Sequence, residues 1–376
     1  MKRISKAVLV SAAILLAAFW TTTPTDAGKK PPADPLSRTL QEAGLKQLED
    51  EVVRQLGEAI ELGAPLRLDQ RTAYPPATIS IDDFQPKALE LSPEAVKRPL
   101  EPGDYSIPVI GFCTKWSLHY PGRGLPYKLA RLQGRQAEAI GALLWRGMLQ
   151  GLPPKVTRTM SWRIQGGVPL KQWPRQEQDL VQQLIPEYES SLEGDFVQQT
   201  RDLYEKARPL GKFPPFETML TRLGPIGETV LDAQRARRVL ANKTLAAERM
   251  PDLLYGRPRD GLPRILNGGP NDPPSAWSEI APGVFARLTI IRGDLGENVL
   301  DLRITPQARK PSAADHSRSR LIRPVALTDA ELAYEEPGEI GQTLQTLFVY
   351  IHGLIGYPNE RPAQALILIP YIGIRG

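Results

Sequence analysis

Cys113 is the only cysteine in the chain, and His119, one of only three histidines, follows six residues later. An imidazole beside a thiol accepts its proton and lowers its pKa, so the pair has the types for a nucleophilic dyad. The stretch between them runs into the turn cluster "HYPGRGLPY", whereas cysteine hydrolases draw their histidine from a distant segment. His119 therefore reads more simply as a turn residue or the wall of an aromatic pocket. His316 and His352 lie far away, and the chain has no second cysteine and no HExxH motif. No metal site is expected, and no cofactor either, because the chain has no phosphate-binding loop, dinucleotide fingerprint or G-x-S-x-G elbow. The carboxylates Asp104, Glu138, Glu177 and Asp179 are scattered over expected loops and helix surfaces, without a visible pair across a sugar cleft. Trp116, Trp145, Trp162 and Trp173 share this central stretch. Amphipathic helices would send them into a core, and a stacking surface for a carbohydrate or a protein is the alternative.

The elements that must position these residues follow from period and punctuation. "YSIPVIGFC", residues 105–113, reads as a buried strand delivering Cys113 at its end. From the turn cluster to about Met250 the pattern is helical, with helices over 135–148, 155–165, 175–185, 195–207, 216–223 and 227–249. Pro153-Pro154 opens the second of these and Gly166-Gly167 ends it. Arg235, Arg237 and Arg238 read as a solvated face of the last. Upstream, Leu36, Leu40, Leu45, Leu48, Val52, Leu56 and Ile60 mark an amphipathic helix, capped by Asp34 or Ser37 and ended by Gly63 with Pro65. Residues 64–108 are Pro-punctuated, with a short strand expected at 77–81. Beyond 256–276, rich in Gly, Pro and Asn, the period becomes two in "GVFARLTII", "NVLDLRIT", "LFVYIHGLIG" and "AQALILIPYIGI". The expected class is α+β, a mainly helical central domain followed by a small antiparallel β-sandwich-like C-terminal domain. The expected division is 28–104 for the N-terminal helix and connector, 105–255 for the helical domain, 256–276 for a linker and 277–376 for the β-rich domain.

Residues 1–27 read as a signal peptide. Lys2, Arg3 and Lys6 precede an apolar run from Ala7 to Trp20, too short for the roughly 20 residues of a membrane span, and cleavage is expected near Ala27. The protein is therefore expected to be exported to a periplasm, cell surface or medium, with no membrane span after cleavage. The formal charge of +5 falls to about +3 once Lys2, Arg3, Lys6 and Asp26 are removed. With no dense basic stripe or readable motif, nucleic acid is not an expected partner; a protein or an anionic envelope polymer is. At 376 residues and 41% hydrophobic, the chain can bury a sizeable core, and 37 prolines imply many turns.

Three short motifs carry a resemblance. "GFC" ends the strand at 111–113, "AEAIGALLWRG" forms the middle helix at 137–147, and "VTRTMSW" opens the next helix at 156–162. In this order the stretch 112–173 resembles the bacterial thioester domain of surface adhesins. There an aromatic-Cys pair at a strand end faces a helix opening on a T-Q-x-A-I-W-type motif, and the Cys sulfur condenses with the Gln carbonyl. The resemblance implies an acyl donor that amines attack. Val156, Thr157 and Trp162 align with the third motif, but the glutamine position holds Arg158, which carries no acyl group. Gln165 lies seven residues on, on the same helical face and about 10 Å away along the axis. The resemblance thus implies a binding region of Cys113, Trp116, Arg158 and Trp162, with Gln165 the only stand-in for the lost glutamine.

These observations favour an exported, non-enzymatic binding or envelope-associated protein with a degenerate thioester-type attachment domain. One alternative is a cysteine-dependent enzyme or covalent adhesin using Cys113 with His119 or Gln165. Another is a subunit of an exported assembly, pairing through the strand "ALILIP" as a sheet edge.

Overall fold

A computed structural model describes residues 35–67, 73–89, 100–113, 127–210, 213–242, 274–291, 295–306, 353–356 and 365–370. The chain divides into two compact units, Met1–Asp50 and Glu51–Gly376. Helix α1 (Pro35–Gly63) begins in the first and ends in the second, stopping at the Gly63 expected from sequence. The architecture is mixed α+β.

Strand β2 (Gly103–Cys113) is central to an antiparallel sheet. Its apolar residues Tyr105, Ile107 and Val109 are buried, and they alternate with half-buried Asp104, Ser106 and Pro108. One edge pairs with β6 (Glu297–Ile304) over residues 103–110. The other pairs with β8 (Ala365–Pro370) over residues 109–113, and with the two-residue parallel strand β1 (Lys87–Ala88) at Tyr105 and Ser106. Proline inside a strand removes a ladder donor, and β2 places Pro108 where that loss costs little. The Leu295 N–H reaches the Gly111 carbonyl at 2.7 Å, so Gly111, and by alternation Val109 and Ile107, face the β6 edge. Pro108 faces the opposite edge, between the residues paired with β8 and those paired with β1 among the described residues.

The full order is β3 (Tyr127–Ala130), β7 (Gly353–Gly356), β8, β2, β6, β5 (Val284–Thr289), β4 (Ser278–Ala281). Residues 73–77 then join the two ends. The Tyr74 N–H donates to Leu129 of β3 at 2.9 Å, the Ala77 N–H donates to Trp277 at 2.8 Å, and the Pro75 carbonyl accepts from Glu279 of β4 at 3.1 Å. The sheet thereby closes on itself through this segment, covering both of its edges. The strand expected at 77–81 is absent; Pro76 makes only an isolated bridge to Ser278. β3 lies where the sequence showed only turn and helix signals. β8, the candidate edge of the assembly alternative, is held between β7 and β2. The expected linker falls largely outside the described residues, but the strands on either side of it share one sheet, because β2 pairs directly with β6.

Between β3 and β4 along the chain come α2 (Ala137–Leu149), α3 (Pro154–Gln165), α4 (Arg175–Leu184), α5 (Phe196–Ala207), α6 (Phe216–Arg222) and α7 (Pro225–Leu240). α7 ends at Leu240, nine residues before the expected stop. One core joins Ile107, Val109, Leu300 and Leu302 of the sheet to Leu143, Leu144, Met160 and Trp162 of α2 and α3. A second packs Leu56 and Ile60 of α1 against Phe196, Tyr204, Phe216, Met219 and Val230. Sequence pattern gave α2 one apolar side, yet Ala142, Trp145 and Arg146 are buried too, as befits a helix apolar nearly all round. Where α2 meets α3 there is no spare room: a Cβ on Gly147 would lie 2.4 Å from Thr157 Cγ2.

Candidate functional site

Cys113 is the last residue of β2 and is 1% exposed, as is Phe112 before it. Across the ladder it faces Leu366 of β8. Its carbonyl accepts the indole N–H of Trp162 at 2.7 Å, which anchors α3 to the strand end. The Arg158 guanidinium lies over the Trp162 ring, 4.6 Å from its centroid. The spacings i, i+4 and i, i+7 put Arg158, Trp162 and Gln165 on one side of α3, and all three are buried. Gln165 Nε2 makes no hydrogen bond among the described residues. The structure therefore brings Cys113, Trp162 and Arg158 together, and places Gln165 on the same helical face. Trp116 and His119 lie outside the described residues, as do His316 and His352.

α3 is a helix of polar composition buried from Thr157 to Gln165, and its hydroxyl groups are satisfied locally. Thr157, Thr159 and Ser161 return their hydroxyls to the carbonyls of Pro154, Lys155 and Arg158 at 3.2, 2.9 and 2.7 Å. Its end is fixed by a Schellman motif. The Gly167 N–H bonds to the Ile164 carbonyl and the Val168 N–H to the Arg163 carbonyl, both at 3.0 Å, with Gly167 at φ +62°.

The side of α3 away from Trp162 carries Arg163, which is wholly buried. Its Nε donates to Glu177 Oε2 at 2.8 Å, a second nitrogen donates to Glu177 Oε1 at 3.3 Å, and a third donates to the Leu240 carbonyl at the end of α7. One guanidinium thus ties α3, α4 and α7 together. Burial pushes the Glu177 carboxyl above the usual range and the Arg163 guanidinium below its own, against the mutual pull of the pair. Arg146 of α2 makes a comparable contact, reaching the Leu184 carbonyl at 2.6 Å and Glu187 at 2.6 and 3.1 Å.

Two carboxylates expected on loops or helix surfaces are therefore structural. Glu177 is in the buried pair, and Asp104 lies within β2, where Arg303 of β6 grips both its oxygens at 2.7 and 2.6 Å. Beside it on the outer face of the sheet, Asp301 accepts from Ser106 at 2.6 Å and from Arg287 at 2.8 Å. Arg287 is flanked by Phe84 and Trp277, at 5.2 and 4.7 Å. The sequence signal for this network was present in the alternation of "FARLT" and "LDLRI", which puts Arg287, Asp301 and Arg303 on one face. The three described tryptophans of the central stretch are buried, with Trp173 donating to the Val168 carbonyl at 2.8 Å, so they form no stacking surface. Among the described residues no group of three or more His, Cys, Asp or Glu could hold a metal ion. No described helix is long and apolar enough to cross a membrane.

What this arrangement can do chemically is limited by burial. Cys113, Trp162 and Arg158 are all buried, and Trp162 touches both the Cys113 carbonyl and the Arg158 guanidinium. No family model matches the chain, and neither a curated protein nor a solved structure matches it.

Proposed function

We propose that the protein is an exported, non-enzymatic binding or envelope-associated protein whose Cys113 region is a thioester-type attachment site that no longer forms its bond. One observation carries the reading: the Trp162 indole holds the Cys113 carbonyl while Arg158 stacks on the same indole. The residue at the family's glutamine position thus lies one helical turn from the tryptophan that docks on the strand end. Arginine there supplies no carbonyl for a thiol to attack. Export rests on the N-terminal sequence and the partner class on the mild positive charge, so a protein or an envelope polymer is the partner of this reading. The finer domain division, with a separate sandwich-like unit at 277–376, is supported by the pairing of β4, β5 and β6 with one another and of β7 with β8. The place of β2 between β6 and β8 favours one sheet instead.

Intact mass of the full chain, with and without methylamine and a thiol-alkylating reagent, tests the proposal. The expected result is an unmodified mass, no methylamine adduct, and alkylation of Cys113 only after denaturation. Arg158→Gln returns the family's residue to its position and is expected to gain methylamine incorporation. A second reading is favoured by the buried amide of Gln165, which has no hydrogen bond among the described residues. A native mass lower by one ammonia would overturn the first reading and assign the acyl group to that residue.

A further inference from the structure

A cavity of about 20 Å³ lies where α1 ends and α2 and α5 begin. Its walls include Gly63 at the end of α1, Gln136 at the head of α2 and Gly167 after α3. Ser191, in the 3-10 helix Pro186–Glu193, and Phe196 and Gln199 of α5 complete it. A Cβ on Gly63 or on Gly167 would lie 3.3 Å from Phe196, and Gly167 holds φ +62°. Close packing of backbone on a ring thus sets these walls, rather than mobile side chains.

Gln136 is 8% exposed, and its amide is only partly used. Nε2 donates to the Ser191 carbonyl at 2.8 Å. Oε1 lies 3.2 Å from the Ser191 hydroxyl, but that hydroxyl has one proton and a nearer acceptor, the Tyr188 carbonyl at 2.7 Å. Among the described residues the amide therefore keeps a second N–H without an acceptor and an oxygen without a committed donor, groups that are costly to leave bare when buried. Gln199 supplies a third group. Its oxygen accepts from Arg135 at 3.2 Å, and its own NH2 has no acceptor among the described residues. A bound water needs about 10–15 Å³ and two to four polar partners. The cavity meets both conditions, and it is too small for a sugar ring.

We propose that this cavity binds one water molecule as a fixed part of the fold. The water accepts from the Gln136 and Gln199 amides and donates to Gln136 Oε1, joining the head of α2 to α5 beside the Ser191 contact. Exposed Arg135 stands at the mouth, through which the water exchanges. The site does not depend on the state of Cys113.

A crystal structure of the full chain that shows ordered solvent tests the site directly. Wild type is expected to hold one water within hydrogen-bond distance of the Gln136 amide. Gln136→Met keeps the length of the side chain, removes both polar groups and is expected to leave the cavity dry. In solution, oxygen-17 relaxation dispersion counts long-lived waters, and the count should fall by one in this variant. Gln199→Leu changes a half-buried position and tests the site even if Gln136→Met does not fold. With one bond fewer, the residence time of the water should shorten about three-fold or more. An empty cavity in wild type overturns the proposal, as does a water that stays in place in Gln136→Met. A residence time unchanged in Gln199→Leu overturns the bridge to α5. A buffer anion in the cavity, revealed by bromide soaking, would make it an adventitious ion only and overturn the water.

Discussion

The buried pair of α3 and the charged ladder on the outer face of the sheet use the same contact, a guanidinium gripping both oxygens of a carboxylate, in opposite surroundings. Arg163 and Glu177 have side chains 0% and 14% exposed, and there desolvation outweighs attraction, raising the Glu177 pKa and lowering that of Arg163. On the sheet, Arg303 serves Asp104 within the ladder and Asp83 in open solvent. Its hydrogen bonds outweigh burial there and hold both carboxyls below their usual range. Geometry alone does not decide what an ion pair contributes; the balance of desolvation against contact does. The largest way to break the comparison is Arg163→Met, which strands Glu177 in the core and unties α3 from α4 and α7. It should cost about 3–5 kcal/mol in denaturant unfolding. Glu177→Gln keeps an acceptor for Arg163 and should cost less, with a diagnostic pH dependence. A folded pKa above the unfolded one gives stability that is full below the ordinary carboxylate range and is lost as pH rises through the folded value. Wild type should therefore lose ground to Glu177→Gln from acid toward neutral pH. A difference that stays constant with pH would show that burial does not dominate.

The next effect belongs to the residue that joins the two regions. Trp162→Phe leaves the Cys113 carbonyl without its donor and opens space in the core shared by α3 and the sheet. A loss of about 2–3 kcal/mol is expected from the stranded acceptor and the missing volume, together with alkylation of Cys113 under native conditions. Native protection of the thiol in Trp162→Phe would mean that the indole bond is not what closes the strand end.

Much of α3 was legible in advance, because local chemistry marks its bounds: Pro154 opens it and the glycine pair closes it. Its burial was not. "VTRTMSWRIQ" reads as a half-polar surface helix, and only its neighbours make Arg163 an interior residue; Glu177 arrives from the next helix and Leu240 from the end of α7, 77 residues away. β2 showed the same division. Its alternation announced a strand ending at Cys113, but its partners lie far along the chain, with Ser106 meeting Asp301 195 residues on. Period reveals that a strand has a buried face and says nothing about which strand lies beside it. The indole-to-carbonyl bond from Trp162 to Cys113 joins residues 49 apart and needed the packed structure.

Arg303→Met addresses the outer network. At neutral pH a partly solvated bidentate pair should lose about 1–2 kcal/mol, less than its buried counterpart because water screens the open side. A carboxyl whose folded pKa is lowered contributes stability that is full above its ordinary range and is lost as pH falls through the folded value. The gap between wild type and Arg303→Met should therefore close in acid, opposite in sign to the Glu177→Gln trend. Urea melts across the acid range check it, and a gap that persists in acid would make Arg303 a packing residue.

The smallest effect sharpens the comparison most. Arg158 shares α3 and full burial with Arg163, but it rests on the face of an indole. A cation over an aromatic ring contributes about 0.5–2 kcal/mol, and removing a buried charge returns part of that by ending its desolvation. Arg158→Met keeps the stem over Trp162 and should change stability by less than about 1 kcal/mol, leaving Cys113 protected from alkylation. A loss as large as that of Arg163→Met would place a charge, and not packing, at the heart of the Cys113 region. A near-neutral result would instead mean that Arg158 chiefly fills space beside Trp162.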